Sequence, residues 1–452
     1  MTRILLVLAC AAVAAWQLWR VPRTWAFLLL FIALMPKVAI AAVPGNTTPI
    51  RVDDLVVGAA LALWFFGVRL KPPFDVAQGG PEALEGPDTI YEEPAYEEPP
   101  PSSATFFLAL YWGVAAACTL VGIAALTTEP LTGMLHVGRL IEYGLLYYLF
   151  YSSIAPEELE SFVEVVRTSL LLVFAIWFGQ HWTHAPGGAE TPWATLYPTF
   201  SATYDFGGYV MLSTVLLYAV WTTGGDRSAL TTVALAAAAY LTVNSESRAS
   251  LLGLAAIVAI DVLLRARWWA ALGLVALAAA APYLIKSKKM LSLIGGVVAL
   301  MTTFNLDVIR QAFANDLSLA LRLRNWRLAF EHWLARPFFG DGLGGYLSYT
   351  RQYDLPASTD GWYVRVLADT GVIGLVAFLL LMSALVWVLA GRVRAETAPL
   401  RRAIVYAAAL AVTAASVSAL LVDTFVSYKI MGVFWTIVAC GTRVAAAGTD
   451  HA

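Results

Sequence analysis

An all-α, polytopic membrane protein is what this sequence predicts, with roughly 12–14 transmembrane helices and one large extracytoplasmic loop. Three observations carry that expectation. Apolar residues make up 60% of the 452 and charged residues only 13%, against about 25% charged in an ordinary soluble chain. The mean hydropathy is +0.71, so charged side chains are too few to cover a water-facing surface and lipid must solvate most of the exterior. The apolar residues come in runs of the length that crosses about 30 Å of hydrocarbon, without porin-like alternation. Backbone groups find no water in lipid, so such runs are helices rather than isolated strands. The net charge of −2 argues against nucleic-acid binding, which needs a concentrated basic face. Cys10, Cys118 and Cys440 all lie inside apolar runs and make neither a metal-ligand spacing nor a disulfide framework.

In chain order, the candidate spans fall at 4–19, 24–42, 53–70, 104–126, 134–153, 160–180, 205–222, 228–244, 249–264, 268–285, 366–391, 402–421 and 428–446. The first run, Ile4 to Trp19, carries a faint echo of a lipoprotein cleavage site at Leu8-Ala9-Cys10. Its apolar stretch before Cys10 is only six residues, shorter than a signal peptide requires, so a spanning helix is the preferred reading. The organisation expected is N-terminal helices over 1–70, a loop over 71–103, helices over 104–285, a large outer loop over 286–365 and C-terminal helices over 366–452. The 71–103 loop holds eight acidic residues, eight prolines and the repeated Tyr-Glu-Glu-Pro of Tyr91–Pro94 and Tyr96–Pro99. Such a composition cannot bury enough apolar area to fold, so a solvated, disordered tether is expected there in preference to a docking motif. The 286–365 segment is instead rich in arginine and aromatics and patterned as helix and turn, which makes it the candidate functional region.

Orientation follows from the short loops. Arg20 and Arg23, Arg69 and Lys71, Arg227, Arg265 and Arg267, and Arg392, Arg394, Arg401 and Arg402 fall on one side, which the positive-inside bias assigns to the cytoplasm. That puts 286–365 and the loop holding Arg248 outside. Thirteen spans also put the N-terminus outside. The apolar stretch 291–304 is short; one more crossing there would invert everything upstream.

Three outer blocks carry polar chemistry. The first is Asn244-Ser245-Glu246-Ser247-Arg248-Ala249-Ser250 between two apolar helices. An arginine in that position must face water or an anion, or else snorkel from a helix end. The second runs from Ser318 to Tyr346. Leu317, Leu321, Leu328 and Phe330–Leu334 suggest an apolar helical face, with Arg322, Arg324 and Arg327 on the same segment. Pro337 ends the helix, and Gly340, Gly342, Gly344 and Gly345 form a tight turn. This is no phosphate loop, because it follows a helix and no Gly-Lys-Ser/Thr comes after it. The three arginines either solvate an exposed helix or clamp a diphosphate through bidentate hydrogen bonds. The third block, Ser358-Thr359-Asp360-Gly361-Trp362-Tyr363, leads into Leu367-Ala368-Asp369-Thr370-Gly371 and the next span. Asp360 is either a carboxylate facing a cavity or a helix N-cap.

The order of these residues resembles the O-antigen ligase/polymerase family. The matching pattern is Ser247-Arg248, then Arg322, Trp326, Ala329, Pro337, Gly340, Gly342 and Gly344, then Asp360, Tyr363, Leu367, Gly371 and Gly374, over roughly residues 200–390. The resemblance implies a GT-C-like, multi-pass bacterial inner-membrane glycosyltransferase whose active site faces the periplasm. Ligases that attach O-antigen to lipid A-core typically open the third block with His-Asn, whereas this chain has Asp360-Gly361. His181, His184, His136 and His332 lie elsewhere and do not fill that place. The departure points toward a polymerase that joins repeat units.

What the resemblance implies mechanistically is attack by a sugar hydroxyl on the anomeric carbon of a second glycan, with polyprenyl diphosphate leaving. Developing charge on the diphosphate needs fixed cations, and the hydroxyl needs a base. Arg248 and Arg322 are assigned to the diphosphate, with Arg324 or Arg327 assisting. Asp360 is the candidate base, with Glu246 the alternative, and Tyr363 a further substrate-binding candidate. Arg139 and Glu142 are expected to pair, with a cavity role for Arg139 as the lesser reading. No metal or cofactor is required, and the isolated His181/His184 pair makes a poor metal site. The partners implied are the polyprenyl-diphosphate-linked donor and acceptor glycans, membrane lipid, and a chain-length regulator and flippase. The alternatives are a ligase acting on lipid A-core or protein, and a lipid-linked glycan transporter. A transporter usually builds a mid-membrane site from broken helices and internal repeats; the sequence offers no repeat.

Overall fold

The computed structural model describes residues 24–34, 39–41, 50–65, 103–183, 203–245, 247–265, 317–353 and 359–447. Thirteen α-helices occur among them: α1 Thr24–Leu34, α2 Val52–Phe65, α3 Ser103–Ala124, α4 Pro130–Ser153, α5 Leu159–Thr183, α6 Thr203–Thr223 and α7 Ala229–Asn244. Then follow α8 Arg248–Arg265, α9 Leu317–Trp333, α10 Gly345–Gln352, α11 Trp362–Val393, α12 Pro399–Ser418 and α13 Tyr428–Ala447. The expected spans at 4–19 and 268–285, the 71–102 tether, the 291–304 stretch, His184, Glu246 and Ser358 lie outside the described residues.

Six of the described helices are long and apolar enough to cross a bilayer: Ala104–Ala124, Pro156–Phe178, Thr203–Thr223, Trp362–Val393, Pro399–Ser418 and Tyr428–Ala447. The protein is a polytopic helical membrane protein. Helix α4 has 24 residues but carries His136, Arg139 and Glu142, and α7 has only 16. One expected span is corrected. The helix at 24–42 is seen only over Thr24–Leu34, and Ala39–Ala41 instead pairs antiparallel with Ile50–Arg51, Ala39 opposite Arg51. Pro36 lies just past the helix end in sequence, and proline cannot donate the hydrogen bond that continued helix needs.

Burial separates inner spans from lipid-facing ones. The apolar windows of α13 and α6 are 89% and 83% buried, against 33% for α3 and 39% for α11. A helix apolar all round must be covered by protein or by lipid, so α6 and α13 form the centre and α3 and α11 the margin. Helix α12 brings Ala403, Ala407, Ala408, Ala411, Ala414 and Ala415 to the interior. Small side chains let helices approach closely where lipid offers no hydrophobic drive, and Gly441 of α13 sits directly against Ala408. Asp261, fully buried in α8, accepts hydrogen bonds from Tyr218 of α6 (2.6 Å) and Tyr406 of α12 (2.5 Å). A carboxyl group in an apolar bundle requires that satisfaction.

The helix ends sort into two levels. At one end Arg167 pairs with Asp226 at 2.8 Å and Arg443 donates to the Tyr151 carbonyl. At the other end the turn after α3, the α9–α10 pair, the head of α11 and the α12–α13 connection converge.

Candidate functional site

Helix α9 and the turn after it are held on the kinked head of α11. Gly371 interrupts α11 with φ 65° and ψ −166°, a conformation essentially confined to glycine. The kink frees backbone donors for the turn: Val372 N–H bonds the Pro337 carbonyl (2.9 Å) and Ile373 N–H that of Phe338 (3.3 Å). In return Asp341 and Gly342 donate to the Ala368 and Asp369 carbonyls at 3.2 and 2.7 Å. On the turn's other side the Thr127 and Thr128 hydroxyls donate to the Asp341 carbonyl at 2.8 and 2.5 Å, and Leu343 N–H donates to Thr119 (3.1 Å). The glycine-rich stretch is therefore a joint between α3 and α11. Its close approaches need glycine because a Cβ at Gly340 would meet the carbonyls of Ala368 and Asp369. The buried Asp341 carboxylate is bound by His332 and Arg336, which ties the end of α9 to the joint, and His332 stacks on Tyr349 of α10 at 3.9 Å. Tyr346, buried in α10, is pushed up to about 12 by burial and by the charges of Tyr349 and Asp369.

The expected apolar face of α9 is corrected. Among its described side chains Asn325 and Ala329 are the buried ones, at 5% and 1% exposure, while Leu321, Leu323, Phe330 and the adjoining Leu334 are 43–58% exposed. Beside a bilayer, apolar periodicity marks an outward face as readily as a core-facing one. This rotation separates the three arginines. Arg322 is half-buried on the side of Trp326 and Ala329, whereas Arg324 is exposed. Arg327 is 81% exposed and pairs along the helix with Glu331 at 2.7 Å.

The second and third blocks meet directly. The Trp326 indole, one turn beyond Arg322, abuts Gly361, the neighbour of Asp360. Asp360 is half-buried and has φ 48°, the left-handed region that Asp tolerates better than most residues. It is not the N-cap of α11; that position is Gly361. The first block reaches the same end through α6. Ser245 and Ser247 shape the turn into α8, with Ser247 accepting from Ser250 N–H (3.4 Å) and its hydroxyl 2.8 Å from that of Ser250. Gly207 of α6 lies against Ser247 and Ser250, so Arg248 emerges half-buried from this seam. On the same α6 turn, Tyr204 lies within electrostatic reach of Arg365 in α11.

Tyr363 donates its hydroxyl to the Ser416 carbonyl of α12 at 2.9 Å, so it acts as a strut between helices. Arg139 lies half-buried on α4, and its charge, with those of Arg365 and Arg351, reaches His136. An apolar pocket opens beside this cluster, lined by Tyr111, Leu140, Tyr143, Trp362, Phe378 and Trp435 among others.

Sequence reasoning missed a fourth group. Arg365 lies between Asp423, 3.2 Å away in the α12–α13 connection, and Asp369, 3.6 Å away on its own helix. Asp423 also accepts from the Thr359 hydroxyl at 3.2 Å. The i,i+4 spacing of Arg365 and Asp369 inside an apolar run was a legible signal. Asp423, a lone carboxylate between two spans, was a weaker one.

Residues 233–379 match a family model described as O-antigen ligase. The match starts in α7 and ends within α11, so it takes in Arg248, Arg322, the glycine-rich joint and Asp360. No curated protein matches the chain.

Proposed function

We propose that this chain, whose residues 233–379 match a family model described as O-antigen ligase, polymerises polyprenyl-diphosphate-linked oligosaccharide repeats into O-antigen or exopolysaccharide. The reaction takes place at the periplasmic face of the bacterial inner membrane, and a flippase and a chain-length regulator are its expected neighbours. The observation that carries the polymerase reading is Asp360-Gly361 at the head of α11, where ligases resembling this chain carry His-Asn. Asp360 takes the proton of the acceptor sugar hydroxyl. That oxygen bonds to the anomeric carbon of the donor, and the bond to diphosphate breaks with its electron pair passing to the diphosphate oxygen. Arg248 and Arg322 receive the developing charge, a role suited to guanidinium forks. Glu246 remains the alternative base. Arg324 and Arg327, on the outward side of α9, are less well placed to assist. Membrane lipid surrounds the spans, and the polyprenyl tail travels along their apolar surface.

The family model's description favours a second reading, in which the finished glycan passes to lipid A-core or protein. Deleting the gene, restoring it with wild type, Arg248→Ala or Arg322→Ala, and resolving the surface polysaccharide by electrophoresis tests both readings. Loss of the repeat ladder with single repeats still attached to the acceptor supports polymerisation. Loss of all attached glycan, with polymer accumulating on the lipid carrier, supports ligation. Normal ladders from both arginine variants reject the enzyme.

A further inference from the structure

Asp360 belongs to a short connection rather than to a helix, yet a base must be held within hydrogen-bond reach of the proton it takes. The residues flanking it are anchored to the end of α12 and the connection that follows. On one side the Thr359 hydroxyl donates to the Asp423 carboxylate (3.2 Å) and lies 3.3 Å from the Gly361 carbonyl. On the other, Trp362 N–H donates to the Ala419 carbonyl at 2.9 Å, and Tyr363 reaches Ser416. Asp423 is itself fixed, its second oxygen 3.2 Å from Arg365, and Thr359 is only 2% exposed. Among the described residues 359–363 Asp360 alone takes a left-handed backbone, φ 48°, which costs about 1–2 kcal/mol for an L-residue and persists only where the surroundings impose it.

We infer that Thr359, Asp423 and Arg365 form a positioning clamp that sets the left-handed turn at Asp360 and so aims its carboxylate at the acceptor hydroxyl. None of the three touches substrate in this scheme; they act through Asp360. The inference rests on Asp360 being the base of the proposed reaction. It adds the α12–α13 connection, which lies outside the family-matched segment, as a fourth contributor to the site. Two oxygens of one carboxylate thereby serve two elements: one orders the approach to Asp360, and the other is held by a cation in the first turn of α11.

Thr359→Val is the sharpest perturbation, because it removes only the hydroxyl and leaves the Arg365–Asp423 pair in place. Full-length protein would be assayed in membranes with lipid-linked repeat units extracted from the deletion strain, comparing Thr359→Val, Thr359→Ser and Asp360→Asn at equal protein amounts. Thr359→Val should lower kcat roughly ten- to hundredfold, the scale of a misplaced reacting group, with KM unchanged, and Thr359→Ser should recover most of the loss. Wild-type turnover by Thr359→Val beside an inactive Asp360→Asn overturns the clamp and leaves the base assignment standing. A loss that serine does not recover, or that falls on KM, reduces Thr359 to a packing residue and also overturns it. Full activity of Asp360→Asn removes the base and the clamp together.

Discussion

Gly371→Ala should separate the α9 joint from the bundle. The residue lies ten positions into α11 at φ 65°, ψ −166°, and an added Cβ would run into the Phe338 carbonyl and the Phe339 nitrogen. Both neighbours are backbone, so no side chain can swing aside. Holding alanine in that conformation costs about 1–3 kcal/mol. Relief by backing the turn away gives up the bonds from Val372 to Pro337 and from Ile373 to Phe338, each worth about 0.5–1.5 kcal/mol net. The expected destabilisation is therefore about 2–6 kcal/mol. Gly391 in the same helix is the control: nothing lies within 4 Å of its added Cβ, and alanine in a helix gains up to about 1 kcal/mol over glycine. Thermal unfolding of the purified protein in detergent should place the Gly371→Ala midpoint below wild type and the Gly391→Ala midpoint at or above it. Equal midpoints for wild type and Gly371→Ala would refute the joint.

Arg322→Lys should restore only part of the polysaccharide ladder that Arg322→Ala abolishes, because an ammonium cannot reproduce a bidentate grip; complementation of the deletion strain reads this out. Arg327→Ala, which removes an exposed ion pair with Glu331, should leave ladder and protein level near wild type in the same strain. At the opposite end, burial alone would raise the Asp226 carboxyl, but hydrogen bonds from Thr231 and Ser228 and the Arg167 charge outweigh it and hold it below the usual range. Its stabilisation is present above the unfolded value near 3.8 and is lost as pH falls through the folded one. Asp226→Asn should thus lower stability at neutral pH by about 1 kcal/mol, read as a lower unfolding midpoint, and the difference should vanish in acid. Asp261→Ala removes the bonds from Tyr218 and Tyr406 and should cost about 1–3 kcal/mol, with Asp261→Asn closer to wild type in the same melt.

Span length was the legible part of this fold. Crossing lipid demands a run of apolar residues whatever the tertiary context, so α3, α5, α6, α11, α12 and α13 could be placed from hydropathy. Where a run is interrupted by local geometry, hydropathy says little. Ala39–Ala41 is as apolar as a span yet pairs with Ile50–Arg51. The face of α9 was misread because apolar periodicity reports a direction without saying whether protein or membrane lies that way. Leu323, Phe330 and Leu334 point outward, and it is Asn325 that is buried. The glycines at 340, 342 and 344 were visible as a turn, but their reasons, close approach of Gly340 to the Ala368 and Asp369 backbone, of Gly342 to Thr119 and of Gly344 to His136, are long-range contacts that no local pattern encodes.

The rotation of α9 bears on how a cationic segment can work beside a membrane. Had Leu323 and Phe330 faced the bundle, Arg327, on their side of the helix, would have turned inward with them and Asn325 and Ala329 would have turned out. With Asn325, Ala329 and Trp326 turned inward, Arg322 is the arginine of that triplet carried toward Gly361 and Asp360, while Arg327 is occupied by Glu331. A guanidinium half-removed from water interacts more strongly with a developing negative charge than a solvated one, because less solvent screens it. The same removal makes Arg322 costly to hold without an anion close by. The glycine joint and the kink at Gly371 hold α9 in that orientation, so stability in this part of the chain and charge placement at the site depend on the same few backbone contacts.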